Sequence, residues 1–263
     1  MQRRTAIGWI GSLSLLAVGN NFAQVANLND AINKAGRQRM LSQRMAKAYL
    51  AVGQGVVTQR GQEILGASMA LFDRQLVELK AFAPNPEIKA TYSQLETVWG
   101  DYKTALVGQA PARDSAPTLI DLDSKVLALA NKGTLQLEQV SGKPVGKLVN
   151  IAGRQRMLSQ RVAKFYLAQT WKASVPNAQA ELDKARAEFV AALDVLASAP
   201  EATAQIRQEI DLARNQWVFY ETALAQRGGD TSASERSANV FLSSENILSV
   251  MDKVTGLYAR LAT

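Results

Sequence analysis

The decapeptide AGRQRMLSQR stands at Ala35–Arg44 and again, letter for letter, at Ala152–Arg161, 117 positions later (152 − 35). It is the centre of a longer correspondence. Ile32-Asn33-Lys34-Ala35-Gly36 matches Val149-Asn150-Ile151-Ala152-Gly153, and Ala46-Lys47-Ala48-Tyr49-Leu50 matches Ala163-Lys164-Phe165-Tyr166-Leu167. Phe72, Leu76 and Leu79 pair with Phe189, Leu193 and Leu196 at the same offset, and Trp99–Leu106 pairs with Trp217–Leu224 at 118, one residue having been gained near the Pro84/Pro200 turn. The chain is a tandem duplication of a unit of roughly 115 residues. Whatever one unit folds into, the chain holds twice.

Each unit reads as four helices. In the first copy the apolar periodicity predicts helices over about Val25–Val52, Gln62–Phe82, Glu87–Val107 and Thr118–Val140. Ala83-Pro84-Asn85-Pro86 and the loop GQAPARDSAP break the pattern, because proline ends or starts helices and biases the residue before it. Ser141-Gly142-Lys143-Pro144 marks the boundary between units. The second copy repeats the plan, with breaks near Val175-Pro176, Ala199-Pro200 and Arg227–Asp230. No stretch alternates with period two. The expected fold is all-α, two tandem antiparallel four-helix bundles joined end to end, with domains at 24–141 and 142–263.

Residues 1–23 read as an export signal. Arg3 and Arg4 precede an apolar run of 12 residues, Ile7–Val18, shorter than the roughly 20 that a membrane span needs and suited to a signal-peptide core followed by small residues. No other stretch is long and apolar enough to span a bilayer, so the mature chain is expected in the periplasm without a transmembrane segment. The formal charge of +7 falls to about +5 without Arg3 and Arg4, 28 basic against 23 acidic side chains. Export argues against nucleic acid as the partner and favours small anions or acidic envelope surfaces. Cysteine and histidine are absent, which removes disulfides, thiol nucleophiles, histidine-based triads and the usual zinc or haem ligands. No carboxylate pair or nucleophile–base set repeats with the duplication. The chain is expected to be no enzyme and to hold no catalytic residue, metal or cofactor.

Set on a heptad, Val25, Leu28, Ile32, Ala35, Arg39, Ser42, Ala46 and Tyr49 form one seam of the first helix, and Val149, Ala152, Arg156, Ser159, Ala163 and Tyr166 form the same seam in the second copy. An arginine sits in the middle of each, among small residues including Gly36 and Gly153. A second apolar stripe (Leu41, Met45, Ala48, Val52; Leu158, Val162, Phe165) leaves each first helix apolar on two faces, one for its own bundle and one for a partner helix. If the two first helices are mutual partners, Arg39 and Arg156 approach one pseudo-twofold axis. Neither seam carries Asp or Glu, so the two guanidiniums need a neutralising group from elsewhere. A planar oxyanion suits their bidentate donors. An arginine of this kind also lays its stem on apolar surface or pairs with a carboxylate from another helix. Arg37, Arg44, Arg154 and Arg161 fall off the seam, solvated or salt-bridged. Trp99/Tyr102 and Trp217/Tyr220, at i, i+3 spacing, read as bundle core.

INKAGRQRMLSQRMAK and its second copy VNIAGRQRMLSQRVAK resemble the signature of the PilJ-type sensor domain of type IV pilus chemotaxis transducers. They are also similar to the INxAGSLRMQSYR segment of periplasmic nitrate/nitrite sensor kinases. In those kinases the arginine of this segment, with the glycine a turn before it, holds the anion on a dimer axis. The resemblance carries that role to Arg39, Arg156, Gly36 and Gly153, and the neighbouring Ser42 and Ser159 complete the candidate ligand-binding set. It implies a non-catalytic sensory protein that binds a small, nitrate- or nitrite-like oxyanion between its first helices and acts through a membrane-bound chemoreceptor or sensor kinase. In this chain AGRQRMLSQR replaces AGSLRMQSYR, so the ligand's identity is not carried over. Those families continue into a transmembrane helix and a cytoplasmic module, and here the duplication would supply both halves of a site that the kinases build from two protomers. The alternative is a helical envelope scaffold whose seams dock a receptor helix without a small ligand.

Overall fold

The computed structural model describes residues 24–228 and 230–261, and within them the chain is helical throughout. The export-signal segment lies outside the described residues. Eight α-helices follow in order: α1 (Leu28–Gly53), α2 (Thr58–Phe82), α3 (Pro86–Val107), α4 (Ala116–Ser141), α5 (Pro144–Thr170), α6 (Ala178–Ser198), α7 (Ala204–Ala225) and α8 (Ala233–Ala259). A single 3₁₀ turn, Arg113–Ser115, leads into α4. Local chemistry sets the boundaries. Asn27, Asn85 and Thr203 accept hydrogen bonds from the third residue on, at the starts of α1, α3 and α7, and Ser232 with Glu235 forms a capping box on α8. Helix α2 begins at Thr58 rather than near Gln62. Gly61 falls in its first turn, where an added Cβ would meet a Val52 methyl at 2.7 Å, so this glycine admits α2 against α1 instead of breaking it.

Neighbouring helices run antiparallel. Lys34 meets Glu78 and Gln38 meets the Phe72 carbonyl between α1 and α2, while Arg39 meets Asn131 and Gln43 meets Asp123 between α1 and α4. The aromatic pairs anchor each set of four as core. Trp99 stacks on Phe72 with ring centroids 4.2 Å apart, and Trp217 stacks on Phe189 at 4.1 Å. The hydroxyls of Tyr102 and Tyr220 donate to the carbonyls of Ser42 and Ser159, both at 2.9 Å.

The two sets of helices pack side by side, not end to end. Helices α1 and α5 make the most extensive contact in the molecule and run parallel in register. Ile32 touches Gly146, Gly36 faces Gly153 and Gly53 meets Trp171. The connectivity requires this direction, because three antiparallel reversals separate α1 from α4 and a fourth returns the chain at α5. The first helices thus spend one face on each other and another on their own bundles, Ala48 and Val52 of the second stripe lying against Gly61 of α2. Helices α1, α4, α5 and α8 form a central four-helix layer, with α2 and α3 outside one half and α6 and α7 outside the other. Among the described residues no helix is long and apolar enough to cross a membrane.

Candidate functional site

The centre of the α1–α5 contact is polar. Arg39 and Arg156 are 1% and 0% exposed and head the largest fully buried side chains of the protein. They converge where the helices come closest. A Cβ on Gly36 would stand 3.2 Å from Arg39 Nη2 and 3.5 Å from Arg156 Nη2, so the two nitrogens lie no farther apart than the sum of those distances, 6.7 Å. Gly153 repeats the arrangement, 3.3 Å from Arg156 Nη2 and 3.8 Å from Arg39 Nη2. The glycines thus make the room the guanidiniums occupy, which explains why a residue costing about 1 kcal/mol against alanine in mid-helix stands there in both copies.

Each arginine reaches across to the other's helix. Arg39 Nη2 donates to Asn150 Oδ1 at 2.7 Å and to the Asn150 carbonyl at 3.3 Å, and Arg156 Nη2 donates to the Asn33 carbonyl at 3.0 Å. Asn33 and Asn150 are themselves equivalent at the 117 offset, so the contact is a reciprocal pseudo-twofold exchange. The remaining Nη1 groups point to the fourth helix of their own copy. Helix α4 aligns with α8 at an offset of 121, with Asp123 against Ser244, Asn131 against Asp252 and Thr134 against Thr255. Gln43 bonds to Asp123 as Gln160 bonds to the Ser244 carbonyl, and Thr134 and Thr255 each bond back to the carbonyl four residues earlier. At the paired positions Arg39 Nη1 donates to Asn131 Oδ1 at 2.8 Å, whereas Arg156 Nη1 meets Asp252.

The charge balance is thus unequal. Asp252 also pairs with Arg37 at 2.8 Å. Burial raises its carboxyl, but Arg156 and Arg37 outweigh that and hold it at about 2. The neutralising group missing from the seam is therefore supplied to Arg156 by another helix, one of the two outcomes open from sequence. Among the described residues Arg39 makes no ion pair; the negative charge acting on it is that of Glu138, which accepts from the Nδ2 of Asn150. Burial, then Arg154 and Arg156, lower the Arg39 guanidinium to about 9, and burial, then Arg37, lower Arg156 to about 10. Both stay charged at neutral pH. The Nε atoms of Arg39 and Arg156 are buried and make no hydrogen bond among the described residues, which leaves each guanidinium with one donor to spare for an acceptor.

Ser42 and Ser159 are buried beside this centre, but their hydroxyls donate to the carbonyls of Arg39 and Arg156, at 3.0 and 2.9 Å. The structure brings the arginines and glycines together and turns the serines to their own backbone. The four off-seam arginines are all ion-paired: Arg37 with Asp252, Arg44 with Glu245, Arg154 with Glu188 and Arg161 with Glu181.

A second polar layer lies one to two turns along. Lys164 and Asp123, both fully buried, pair across α5 and α4 at 2.6 Å. Lys47, also fully buried, pairs with Glu245 of α8 at 2.6 Å and donates to Ser244 at 2.8 Å. Burial lowers the Lys47 ammonium to about 8, against the pull of Glu245. Each lysine crosses to the other copy's fourth helix. These lysines, with Asn33, Asn150, Asn131 and Asp252, were not singled out from sequence, although Asn33/Asn150 and Lys47/Lys164 lie within the matched segments.

A family model described as the type IV pili methyl-accepting chemotaxis transducer N-terminal domain, PilJ, matches residues 21–122 and 141–256. The chain belongs to the PilJ family. The two matches fall on the two copies in turn, so the PilJ-type unit is present as a tandem pair. No curated protein and no solved structure matches the chain. The PilJ assignment marks a sensory domain related to chemotaxis transducers, and the buried arginine pair lies inside the matched segments of both copies.

Proposed function

We infer that the protein is a non-catalytic sensory component of the periplasm that binds a small oxyanion between its two first helices and passes the bound state to a membrane-bound chemoreceptor or sensor kinase. The observation that carries this is the pair of buried guanidiniums of Arg39 and Arg156, which meet at Gly36 and Gly153, keep an unbonded Nε each, and have one paired carboxylate between them, Asp252, which Arg156 shares with Arg37. An oxyanion there accepts from both forks and removes an uncompensated charge from a dry interior. Nitrate and nitrite, planar and singly charged, are the ligands of first choice. Because each arginine is held by the opposite helix, an anion that draws on both changes how α1 and α5 sit against each other. That shift is a signal the outer helices can present to a partner.

The scaffold alternative is weakened by the same geometry. Each first helix is packed against the other and against its own bundle, so a receptor helix would have to part these contacts to dock there.

Isothermal titration calorimetry with nitrate and nitrite tests the reading on the wild-type chain, on Arg39→Ala/Arg156→Ala, and on Arg39→Lys/Arg156→Lys. The lysine pair keeps the charge and loses the planar fork. Binding in the wild type with loss in both folded variants supports the site. Equal heats in wild type and variants, or no heat with either anion, contradict it.

A further inference from the structure

The duplication supplies an internal comparison between two flanks of the central layer. Where α8 lies along α1, carboxylates staple the flank: Asp252 takes Arg37 and Arg156, and Glu245 takes Arg44 and Lys47. Where α4 lies along α5, the matching positions are Asn131 and Ser124, neither of them charged. Arg154 and Arg161, the counterparts of Arg37 and Arg44, turn outward instead to Glu188 and Glu181 of α6. A cavity of about 290 Å³ opens there between α4, α5 and α6, with Asn131, Ser124, the two arginines and Lys184 around it and Leu127, Met157 and Leu158 among its apolar lining. At these two positions α4 offers no carboxylate; its charged groups reach α5 elsewhere, Asp123 at Lys164 and Glu138 at Asn150.

The groove is electropositive. Arg154, Arg161 and Lys184 face two carboxylates, Glu181 and Glu188, and Lys184 makes no ion pair among the described residues. Behind Asn131 stands Arg39, which has no carboxylate of its own and feels the charge of Arg154. On the stapled flank a single carboxylate, Asp252, bridges the counterparts of both Arg154 and Arg39. Asn131 takes its place here but carries no charge. Its Oδ1 accepts from Arg39, which fixes the amide orientation and leaves Nδ2 as a donor with no partner among the described residues.

We propose that the α4–α5–α6 groove binds a small monocarboxylate, whose head lies between Arg154 and the Nδ2 of Asn131 and whose short apolar chain rests on Leu127, Met157 and Leu158. The ligand restores on this flank the negative group that Asp252 provides on the other. Its head draws Arg154 away from Glu188, and through the Asn131 amide it offsets the charge of Arg39. The cavity is close to the lower end of small-molecule sites, at about 300 Å³, a volume suited to a short organic acid. A free organic acid therefore fits it better than an acidic protein segment. The site is separate from the α1–α5 seam and its ligand has a different shape from nitrate, so the two assignments stand or fall apart.

Calorimetry with butyrate on the full chain tests the proposal, with chloride at equal ionic strength as the control. The wild type is expected to bind one butyrate. Asn131→Asp, which builds in the missing carboxylate, is expected to raise the melting temperature without ligand and weaken butyrate at least tenfold, about 1.4 kcal/mol. Glu188→Gln, which releases Arg154, is expected to tighten butyrate several-fold, and Arg154→Gln to abolish it. Arg156→Lys is expected to leave butyrate affinity unchanged while it disturbs nitrate in the seam, which separates the two sites. The proposal is overturned if neither wild type nor Glu188→Gln binds butyrate, if Asn131→Asp and Arg154→Gln bind it as the wild type does, or if only acidic peptides compete for the groove.

Discussion

Replacing Asp123 by asparagine tests the most exacting electrostatic demand of the fold. Asp123 and Lys164 are both fully buried, with Nζ 2.6 Å from Oδ2, and Gln43 Nε2 donates to both carboxylate oxygens at 2.7 and 2.9 Å. The substitution keeps the side chain's shape and removes its charge, leaving Lys164 as an unpaired buried cation. Breaking such a pair from one side costs about 3–5 kcal/mol. The lysine can limit the loss by giving up its proton, which from an ordinary value near 10.5 costs about 5 kcal/mol at pH 7 and about 2 kcal/mol at pH 9, at 1.36 kcal/mol per unit. Burial already lowers the Lys164 ammonium in the native protein. The expected deficit of Asp123→Asn is therefore about 3–5 kcal/mol at pH 7, a large share of a typical 5–15 kcal/mol, and it shrinks by half or more at pH 9. Urea unfolding followed by far-UV circular dichroism at both pH values reads it, and Asp123→Asn/Lys164→Met, which removes both charges, should recover most of the stability. A deficit under about 1 kcal/mol at pH 7, or one unchanged between pH 7 and 9, would show that water solvates the pair and refute the reasoning.

Three further outcomes follow from the same geometry. Burial raises Glu245, but Lys47 and Arg44 outweigh that and hold the carboxyl at about 2 against an ordinary 4.5; a lowered acid contributes stability that is full above pH 4.5 and is lost as pH falls towards 2, up to about 3 kcal/mol. Denaturation of wild type and Glu245→Gln at pH 3, 5 and 7 should show the variant's deficit closing towards the acid end, and a constant gap would contradict this. Lys47 has the opposite sign: its ammonium is lowered to about 8, so its burial costs stability below pH 8 and that cost disappears as pH rises to 10.5; Lys47→Met should remove this alkaline rise from the melting curves. At the far end of the α1–α5 contact, a Cβ on Gly53 would meet Trp171 ring carbons at 2.3 and 2.6 Å, so Gly53→Ala should cost about 1–2 kcal/mol, overpacking exceeding the gain in helix propensity. A rise in melting temperature would mean that Trp171 does not rest on α1.

Much of the fold was legible because duplication and period coincide. Phe72/Phe189, Trp99/Trp217 and Tyr102/Tyr220 recur in step with a helical spacing, and they are core in both copies. The side-by-side packing was legible only in part. The second apolar stripe at Leu41, Met45 and Leu158 announced a partner for each first helix, whereas the repeat of a four-helix unit suggested bundles joined end to end. Four alternating helices return α5 parallel to α1, and packing the two first helices against each other removes more apolar surface from water than a linear arrangement does. At the site, Arg39 and Arg156 stood out because a heptad places them among small residues. Their partners did not, since Asn131 and Asp252 sit on other helices at an offset of 121 that only the three-dimensional pairing reveals. Ser42 and Ser159 keep their place in the seam, and what the sequence could not show is that each hydroxyl donates to the carbonyl one turn back.

The central claim is that one chain builds both halves of an anion site, with Arg39 and Arg156 as its donors. A crystal structure of the wild-type chain grown in nitrate tests it most directly. The account predicts one planar anion between α1 and α5, accepting from the Nε of both arginines beside Gly36 and Gly153. Nitrate bound only at surface lysines, with the two guanidiniums still holding Asn150 and Asn33 and nothing between them, would contradict it.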